Sequence, residues 1–197
     1  MDSSLLVAGA IASGILISGV LAYNRLIALR ARIANAFAQI EVQLRRRFDL
    51  VPNLVELARK YMEHERTTLE AVIVSRNLAT HATLRAAARP GDVAAMQELS
   101  SAAEMLSQSL GRLMVVVEAY PELKADERMG QLSEELSSTE SRIAFARQAY
   151  TDAVMDYKVG TGVFPLNLLA AVFRFAPSRQ LGSVEMPAQR EAVRVRS

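Results

Sequence analysis

The sequence predicts an all-α protein, in which an N-terminal transmembrane helix continues into a long antiparallel, up-down-up-down four-helix bundle. Three observations lead to this prediction. No residue between Asp2 and Arg25 carries a charge, the later sequence repeats apolar residues every three or four positions, and no long β-type alternation interrupts it. The expected parts are a transmembrane anchor (1–24), a four-helix bundle (25–160), a short apolar membrane-proximal segment (161–176) and a basic, disordered tail (177–197).

The uncharged run from Leu5 to Ala22 is about as long as one helix needs to cross the hydrocarbon core of a bilayer. A cleavable signal peptide is one alternative, because Val20-Leu21-Ala22 fits a cleavage site, although residues 1–4 lack the positive side chain that signal peptides carry. A buried core helix is the other. The three glycines of the run disfavour it, since glycine weakens soluble helices but is common in membrane spans.

The charges that flank the run predict its orientation. Asp2 precedes it, whereas Arg25, Arg30 and Arg32 follow it. Because positive residues favour the cytoplasmic side of a membrane, we expect the N-terminus outside and the bundle in the cytoplasm. The chain would then be a single-pass protein of the cell (inner) membrane.

The first bundle helix is expected to continue from the anchor through Phe48 and to end before Pro52, since a residue that precedes proline disfavours helical geometry. Pro52 suits the first position of a helix, so it begins the second helix, which runs to about Thr83. Apolar residues at helical spacing give each helix one buried face. They are Leu26, Ile33, Phe37, Ile40 and Leu44 in the first helix, and Leu54, Leu57, Tyr61, Leu69 and Val72 in the second.

The clearest break is Pro90-Gly91-Asp92, where proline and glycine make a turn and Asp92 caps the third helix. The third helix is expected to end at Pro121, and the fourth to run from about Asp126 to Lys158. Their seams are Met96, Leu99, Ala103, Leu106, Leu110, Leu113, Val117 and Tyr120 in the third, and Leu132, Leu136, Thr139, Ile143, Ala146, Tyr150, Ala153 and Tyr157 in the fourth. Such regular seams are typical of long antiparallel helices with short connections.

The segment after Lys158 is expected to lie near the bilayer, because an even number of long helices returns the chain to its starting side. It is apolar over residues 163–175 except at Asn167 and Arg174, and it is too short to span a membrane. One interpretation is an interfacial helix, whose membrane contacts are Phe164, Leu168, Phe173 and Arg174. The other is a cap folded over the end of the bundle.

Several short motifs have a family-like order and spacing. They are Tyr23-Asn24, Gln43 to Val55, Tyr61 to Glu65, Glu118 to Lys124, Ile143 to Tyr150, and Phe164-Pro165 followed by Asn167 and Phe173. Over roughly residues 23–175 the sequence resembles the LemA family, and Gln43 to Val55 looks like the corner between helices one and two of that family. The resemblance implies a membrane anchor and a long cytoplasmic four-helix bundle, and it supplies no catalytic or cofactor-binding residues. The tail beyond Ala176 departs from the usual acidic ending.

The residues around this corner predict a charged surface at the membrane-distal end of the bundle. Arg46 and Arg47 sit in the last turn of the first helix, where cations complement the helix dipole, and Asp49 can accept hydrogen bonds from the first amides of the second. Glu122 lies at the third corner, at the same end. A capped, salt-bridged bundle end is the plainer interpretation, and a tip that docks partner proteins is the alternative.

The composition argues against several function classes. The formal net charge of +2 gives no reason to expect a nucleic-acid partner. The chain has no cysteine, His64 and His81 lack companions at metal-ligand spacing, and no phosphate loop or nucleophile elbow is present. We therefore expect no catalytic residue, no metal, no cofactor and no small-molecule substrate.

Two function classes remain after these exclusions. The first is a non-enzymatic membrane-anchored scaffold or adaptor, which binds unidentified protein partners at the cytoplasmic face of the membrane. The second is a membrane-surface structural protein that senses or shapes the bilayer, with self-association into a homo-oligomer as its means. In both classes the lipid bilayer is a partner through the N-terminal span.

Overall fold

The computed structural model of the protein describes residues 2–90, 92–164 and 166–173. Within these residues the chain forms helices and no strand, which confirms the all-α prediction. The helices are α1 (Asp2–Arg59), α2 (Arg66–Ala88), α3 (Val93–Val117), α4 (Pro121–Lys124), α5 (Glu127–Gly162) and α6 (Leu166–Val172). The two short helices, α4 and α6, precede and follow α5.

α1 is a single helix of 58 residues that passes through Pro52. The prediction that the first helix ends before Pro52, and that the second begins there, is therefore wrong. A proline inside a helix leaves the carbonyl group four residues earlier without its amide donor. That carbonyl belongs to Phe48, and the Nε of Arg76 on α2 donates to it at 3.1 Å. A side chain from a neighbouring helix thus replaces the missing backbone bond.

Packing also holds the segment around Pro52 in the helix. Val51, Leu54 and Ala58 are buried in the hydrophobic core, so the helix keeps its apolar face across the proline. The chain turns only at residues 60–65, where Met62 is fully buried. The corner between α1 and α2 therefore falls about ten residues later than the sequence suggests.

We expect Arg76 to stabilise the protein, because it donates to the carbonyl group that Pro52 leaves without an amide donor. Arg76→Leu should lower the free energy of unfolding by about 1–2 kcal/mol, since the Phe48 carbonyl loses its donor. In a Pro52→Ala background, the alanine amide can bond that carbonyl, and Arg76→Leu should then cost less than half as much. Denaturant titrations of the four proteins measure this coupling. Losses that add to within about 0.3 kcal/mol would show that Arg76 does not replace the missing bond.

α2 and α3 form an antiparallel hairpin. Asp92 caps α3 as predicted, because its side chain accepts a hydrogen bond at 3.0 Å from the amide three residues later. Near the turn Arg85 forms an ion pair with Glu98, and farther along the buried hydroxyl groups of Ser75 and Ser109 are 2.6 Å apart. In these contacts a lower residue number on α2 goes with a higher residue number on α3, so the two helices run in opposite directions.

α5 runs antiparallel to α1. The side chains of Arg32 and Asp156 approach to 3.7 Å, and farther along the ring centroids of Phe37 and Tyr150 lie 6.3 Å apart in an edge-to-face arrangement. At its beginning, Asp126 caps α5 by accepting a hydrogen bond at 2.8 Å from the amide two residues later. The long α5 therefore returns the chain along α1 to the point where the apolar run of α1 ends.

The ends of α3 and α5 lie within a few residues of their predicted positions. α3 ends at Val117, and Pro121 opens α4 as its first residue, where the missing amide of proline costs nothing. α5 continues to Gly162, four residues beyond the predicted end at Lys158. The linker between α3 and α5 is thus a short helical turn rather than a loop.

The predicted apolar faces of α3 and α5 are buried except at Tyr120 and Leu132, which are half-buried. Leu106 and Leu113 on α3 and Tyr157 on α5 are almost inaccessible to solvent. One continuous hydrophobic cluster joins them to side chains from α1, α2 and α4. The first buried residues of α1 are Ala22 and Leu26, so the core begins directly after the apolar N-terminal run.

Candidate membrane-contact site

The first part of α1 is apolar and exposed. Leu6, Ile11, Leu16 and Leu21 each leave more than half of their surface accessible, and among the described side chains Ala22 is the first that is buried. By length and composition, the helix from Leu6 onwards is able to cross a membrane. The apolar part of a signal sequence can have the same length and composition.

α6 packs against α1 and α5 at the level where α1 becomes buried. Ala170 is its buried residue. The ring of Phe173, directly after α6, lies 4.9 Å between centroids from the ring of Tyr23, at a tilt of 57°. Because Tyr23 follows the apolar run of α1, α6 lies level with the end of the candidate span.

The rest of this segment presents an apolar surface. Phe164, Leu168 and Val172, spaced by four residues, are 73%, 59% and 73% exposed, and Phe173 is partly exposed. Clustered apolar side chains on a protein surface mark a contact with another molecule or with a membrane. The segment therefore covers the end of the helices, as the cap interpretation requires, and keeps the apolar surface that the interfacial interpretation requires. Arg174, the fourth predicted contact, and the tail 177–197 lie outside the described residues.

The four residues predicted to form a partner-docking tip are not brought together. Arg46, Arg47 and Asp49 lie inside α1, and the nearest of them is ten residues, or about 15 Å, from its end at Arg59. Asp49 caps no helix, because α1 continues through it. Glu122 lies in α4, beyond the end of α3. The prediction placed these residues at the end of the first helix, and the helix continues beyond them to Arg59.

Arg47 is buried among α1, α3 and α5, with 5% of its surface exposed. Its Nη1 donates to Ser107 Oγ on α3 at 3.1 Å, and its Nη2 donates to Glu140 Oε2 on α5 at 3.3 Å. The Nε of Arg47 and the Oε1 of Gln43 are buried, with no hydrogen-bond partner among the described residues. Burial lowers the pKa of Arg47, while the carboxylate of Glu140 raises it. Arg47 thus links three helices from the inside of the domain.

A second guanidinium group lies near Arg47. Burial lowers the pKa of Arg147 on α5, and the charge of Arg47 lowers it further, whereas the carboxylates of Glu140 and Glu104 raise it. Arg47 is buried and Arg147 is half-buried, and the acidic groups that act on them, Glu104 on α3 and Glu140 on α5, are exposed. An arrangement of this kind constrains how the three helices are placed against each other.

The family model that describes the LemA family matches residues 36–196 of this chain. The chain belongs to the LemA family. It is also similar to two magnetosome proteins of Paramagnetospirillum magneticum, MamQ 1 and MamQ 2, with 33% identity to each over 85 residues. That stretch covers 43% of this chain and 31% of each relative. The matched stretch thus spans about a third of the length of these curated relatives.

The LemA-family match confirms the resemblance carried by the short motifs. Several motif residues lie in the core, among them Met62, Leu123, Ile143 and Tyr150. Phe145, from the same motif as Ile143, is instead 77% exposed on the outer face of α5. The motifs therefore supply core side chains as well as exposed aromatic rings, among them Phe145 and Phe164.

In this LemA-family chain, the residues that the structure describes include no group of three or more histidine, cysteine, aspartate or glutamate side chains placed to hold a metal ion. His64 and His81 are both exposed. The functional feature that the described residues build most clearly is the apolar surface around α6.

Proposed function

We propose that this LemA-family protein is a non-enzymatic scaffold anchored in the cell membrane. α1 crosses the membrane once with its N-terminus outside, and the helical domain binds protein partners at the cytoplasmic face. The observation that carries the proposal is the continuity of α1, whose exposed apolar part passes without a break into the core of the domain. An anchor built in this way fixes the height and orientation of the domain relative to the bilayer.

The proposal includes an up-down-up-down arrangement of the four long helices. α1 leaves the membrane, α2 returns, α3 leaves again and α5 returns. The antiparallel contacts between α1 and α5, and between α2 and α3, support this order. α5 then ends beside the point where α1 emerges from the bilayer, and the contact between Tyr23 and Phe173 supports that placement of α6.

The surface around α6 acts as a second membrane contact in this proposal. Phe164, Leu168 and Phe173 enter the headgroup region, and the positive charge of Arg174 attracts anionic headgroups. Apolar burial contributes about 25 cal/mol per Å², so three such side chains contribute a few kcal/mol. That amount supports weak, reversible binding, whereas permanent attachment needs the span of α1.

A fragment without residues 1–24 isolates this second contact. We expect the fragment to sediment with anionic vesicles at low salt, and a variant with Phe164, Leu168 and Phe173 changed to serine to lose that binding. The matched control changes three exposed apolar residues elsewhere, Val74, Met105 and Phe145, to serine, and it should bind like the unaltered fragment.

Two results would contradict the second contact. One is that the fragment does not bind anionic vesicles at low salt. The other is that the variant with Phe164, Leu168 and Phe173 changed to serine binds as well as its control. The span is tested separately. If α1 crosses the membrane, the full chain should stay in the membrane fraction after an alkaline wash. Loss of the full chain in that wash would refute the anchor.

A second candidate function is a membrane-surface structural protein that shapes the bilayer by self-association. The observation that favours it is the outward face of α1, where Ile27, Ala31, Ala34, Ala38 and Val42 form an exposed and uncharged stripe. This stripe continues the apolar surface of the span. Crosslinking in native membranes followed by mass spectrometry distinguishes the two functions: links between copies of this chain favour self-association, and links to other proteins favour the scaffold.

A further inference from the structure

A groove lies between the end of α1 and the beginning of α5, at the end of the domain opposite to α6. Its volume is about 330 Å³, which is within the range of small binding sites. Beside the groove, Tyr61 Oη donates a hydrogen bond to Asp126 Oδ2 at 3.3 Å and so ties the end of α1 to the start of α5. Leu57 and Leu132 give the groove an apolar part between polar neighbours.

The charges that line the groove are segregated. Lys60 and Arg128 lie at the tip, and Glu56 and Glu135 lie one and two helical turns deeper, on α1 and α5. Within the described part of the chain, none of these four side chains takes part in an ion pair. The groove therefore offers two cations at its tip and two carboxylates at successively greater depth, and a ligand with both signs of charge would complement it.

Two carboxamide groups also line the groove, one from each helix. Gln131 Nε2 donates to Glu127 Oε1 at 3.2 Å, which leaves the Gln131 carbonyl oxygen as an acceptor. Asn53 on α1 supplies both a donor and an acceptor. The two carboxamides can therefore bond to the backbone N–H and C=O groups of an extended peptide. A helical partner would not need such bonds, because its backbone groups bond to each other.

We propose that this groove binds an extended peptide segment of a partner protein, with an acidic and a basic side chain two residues apart. Lys60, directly after α1, is about 6 Å from Glu56 along the helix axis. Two residues of an extended chain span about 6.6 Å and place their side chains on one face. The acidic side chain faces Lys60 and Arg128, and the basic side chain faces Glu56 and Glu135. This proposal rests on the scaffold function and gives it a docking site.

The test uses the full chain in lipid nanodiscs and a fluorescein-labelled peptide, Gly-Ser-Glu-Thr-Lys-Ser-Gly, whose binding is followed by anisotropy. Lys60→Glu with Arg128→Glu should weaken binding at least roughly tenfold, because attraction becomes repulsion. The matched control, Arg59→Glu with Arg66→Glu, makes the same charge change at exposed residues outside the groove. Its affinity should stay within about twofold of the unaltered chain, since its charges do not face the peptide.

A charge-reversed groove separates recognition from damage to the fold. Adding Glu56→Lys and Glu135→Lys to the Lys60→Glu, Arg128→Glu variant restores the net charge, and the peptide can bind in the opposite direction, so affinity should return. Three results would each overturn the proposal. The peptide does not bind the unaltered chain, it binds the groove variant and its control equally, or it does not bind a charge-reversed variant that is still helical. The alkaline wash of membranes that contain the full chain tests the membrane scaffold itself, so a failure of the scaffold and a failure of the groove are distinguishable.

Discussion

Replacing Phe37 by alanine should lower the free energy of unfolding by about 3–5 kcal/mol. The ring of Phe37 is only 2% exposed, and it contacts Tyr150 across the interface between α1 and α5. Alanine would lose the transfer free energy of the ring and leave a cavity where the two helices meet. Chemical denaturation of the full chain in detergent micelles, followed by circular dichroism, measures the loss.

Phe145→Ala is the matched control, since it removes the same side chain from a position on α5 that is 77% exposed. We expect its effect to stay within about 0.5 kcal/mol. Losses of similar size in the two variants would mean that the helices do not pack through the face that contains Phe37.

Arg47→Met should raise the free energy of unfolding by about 1–2 kcal/mol, whereas Glu140→Ala should lower it by about 1–3 kcal/mol. Arg47 is buried with an Nε that has no partner among the described residues, and methionine fills a similar volume without a charge. Removing Glu140 instead leaves the buried guanidinium with less compensation. Because the Glu140 side chain is 60% exposed, solvent reduces that penalty below the value for a fully buried pair.

Arg46→Met provides the control for Arg47→Met, because Arg46 is the exposed neighbour on the same helix. Its effect should be within about 0.5 kcal/mol in the same denaturation experiment. A destabilised Arg47→Met protein would show that the hydrogen bonds to Ser107 and Glu140 outweigh the cost of burying the charge.

The parts of the fold that could be predicted depend on local signals. Asp92 and Asp126 cap their helices through amides two or three residues away, and the regular seam of α3 is buried as its spacing indicates. The path of α1 through Pro52 could not be predicted, because the carbonyl it frees is satisfied by Arg76, which is distant in sequence. One error in a helix end then misplaced the residues of the predicted tip.

Close contacts between helices also could not be predicted from local sequence signals. Gly160 is a place where α5 approaches α1 closely, since a Cβ there would lie 2.6 Å from Leu29 Cδ1. A glycine within a helical pattern does not by itself reveal whether a neighbouring helix lies against it. Gly111, also inside a helix, has open space where its Cβ would be.

For the candidate site, the apolar composition of residues 163–175 and the even number of long helices predicted where the segment lies. Neither could show that Ala170 is buried while Leu168 stays exposed, because that depends on how α6 docks on α1 and α5. The distal groove was missed for a similar reason. Lys60 and Arg128 are far apart in sequence, and only the antiparallel packing brings them to one end of the groove.

The depth of residue 168 in the membrane-inserted chain tests the membrane scaffold most directly. The chain has no cysteine, so Leu168→Cys and, as a control, Phe145→Cys each accept a single bimane label. In vesicles of anionic lipid, we expect nitroxide-labelled lipids to quench the label at 168 strongly and aqueous iodide to quench it weakly, with the reverse pattern at 145. Equal quenching of both labels by iodide, and of neither by the lipids, would contradict the placement of α6 at the bilayer.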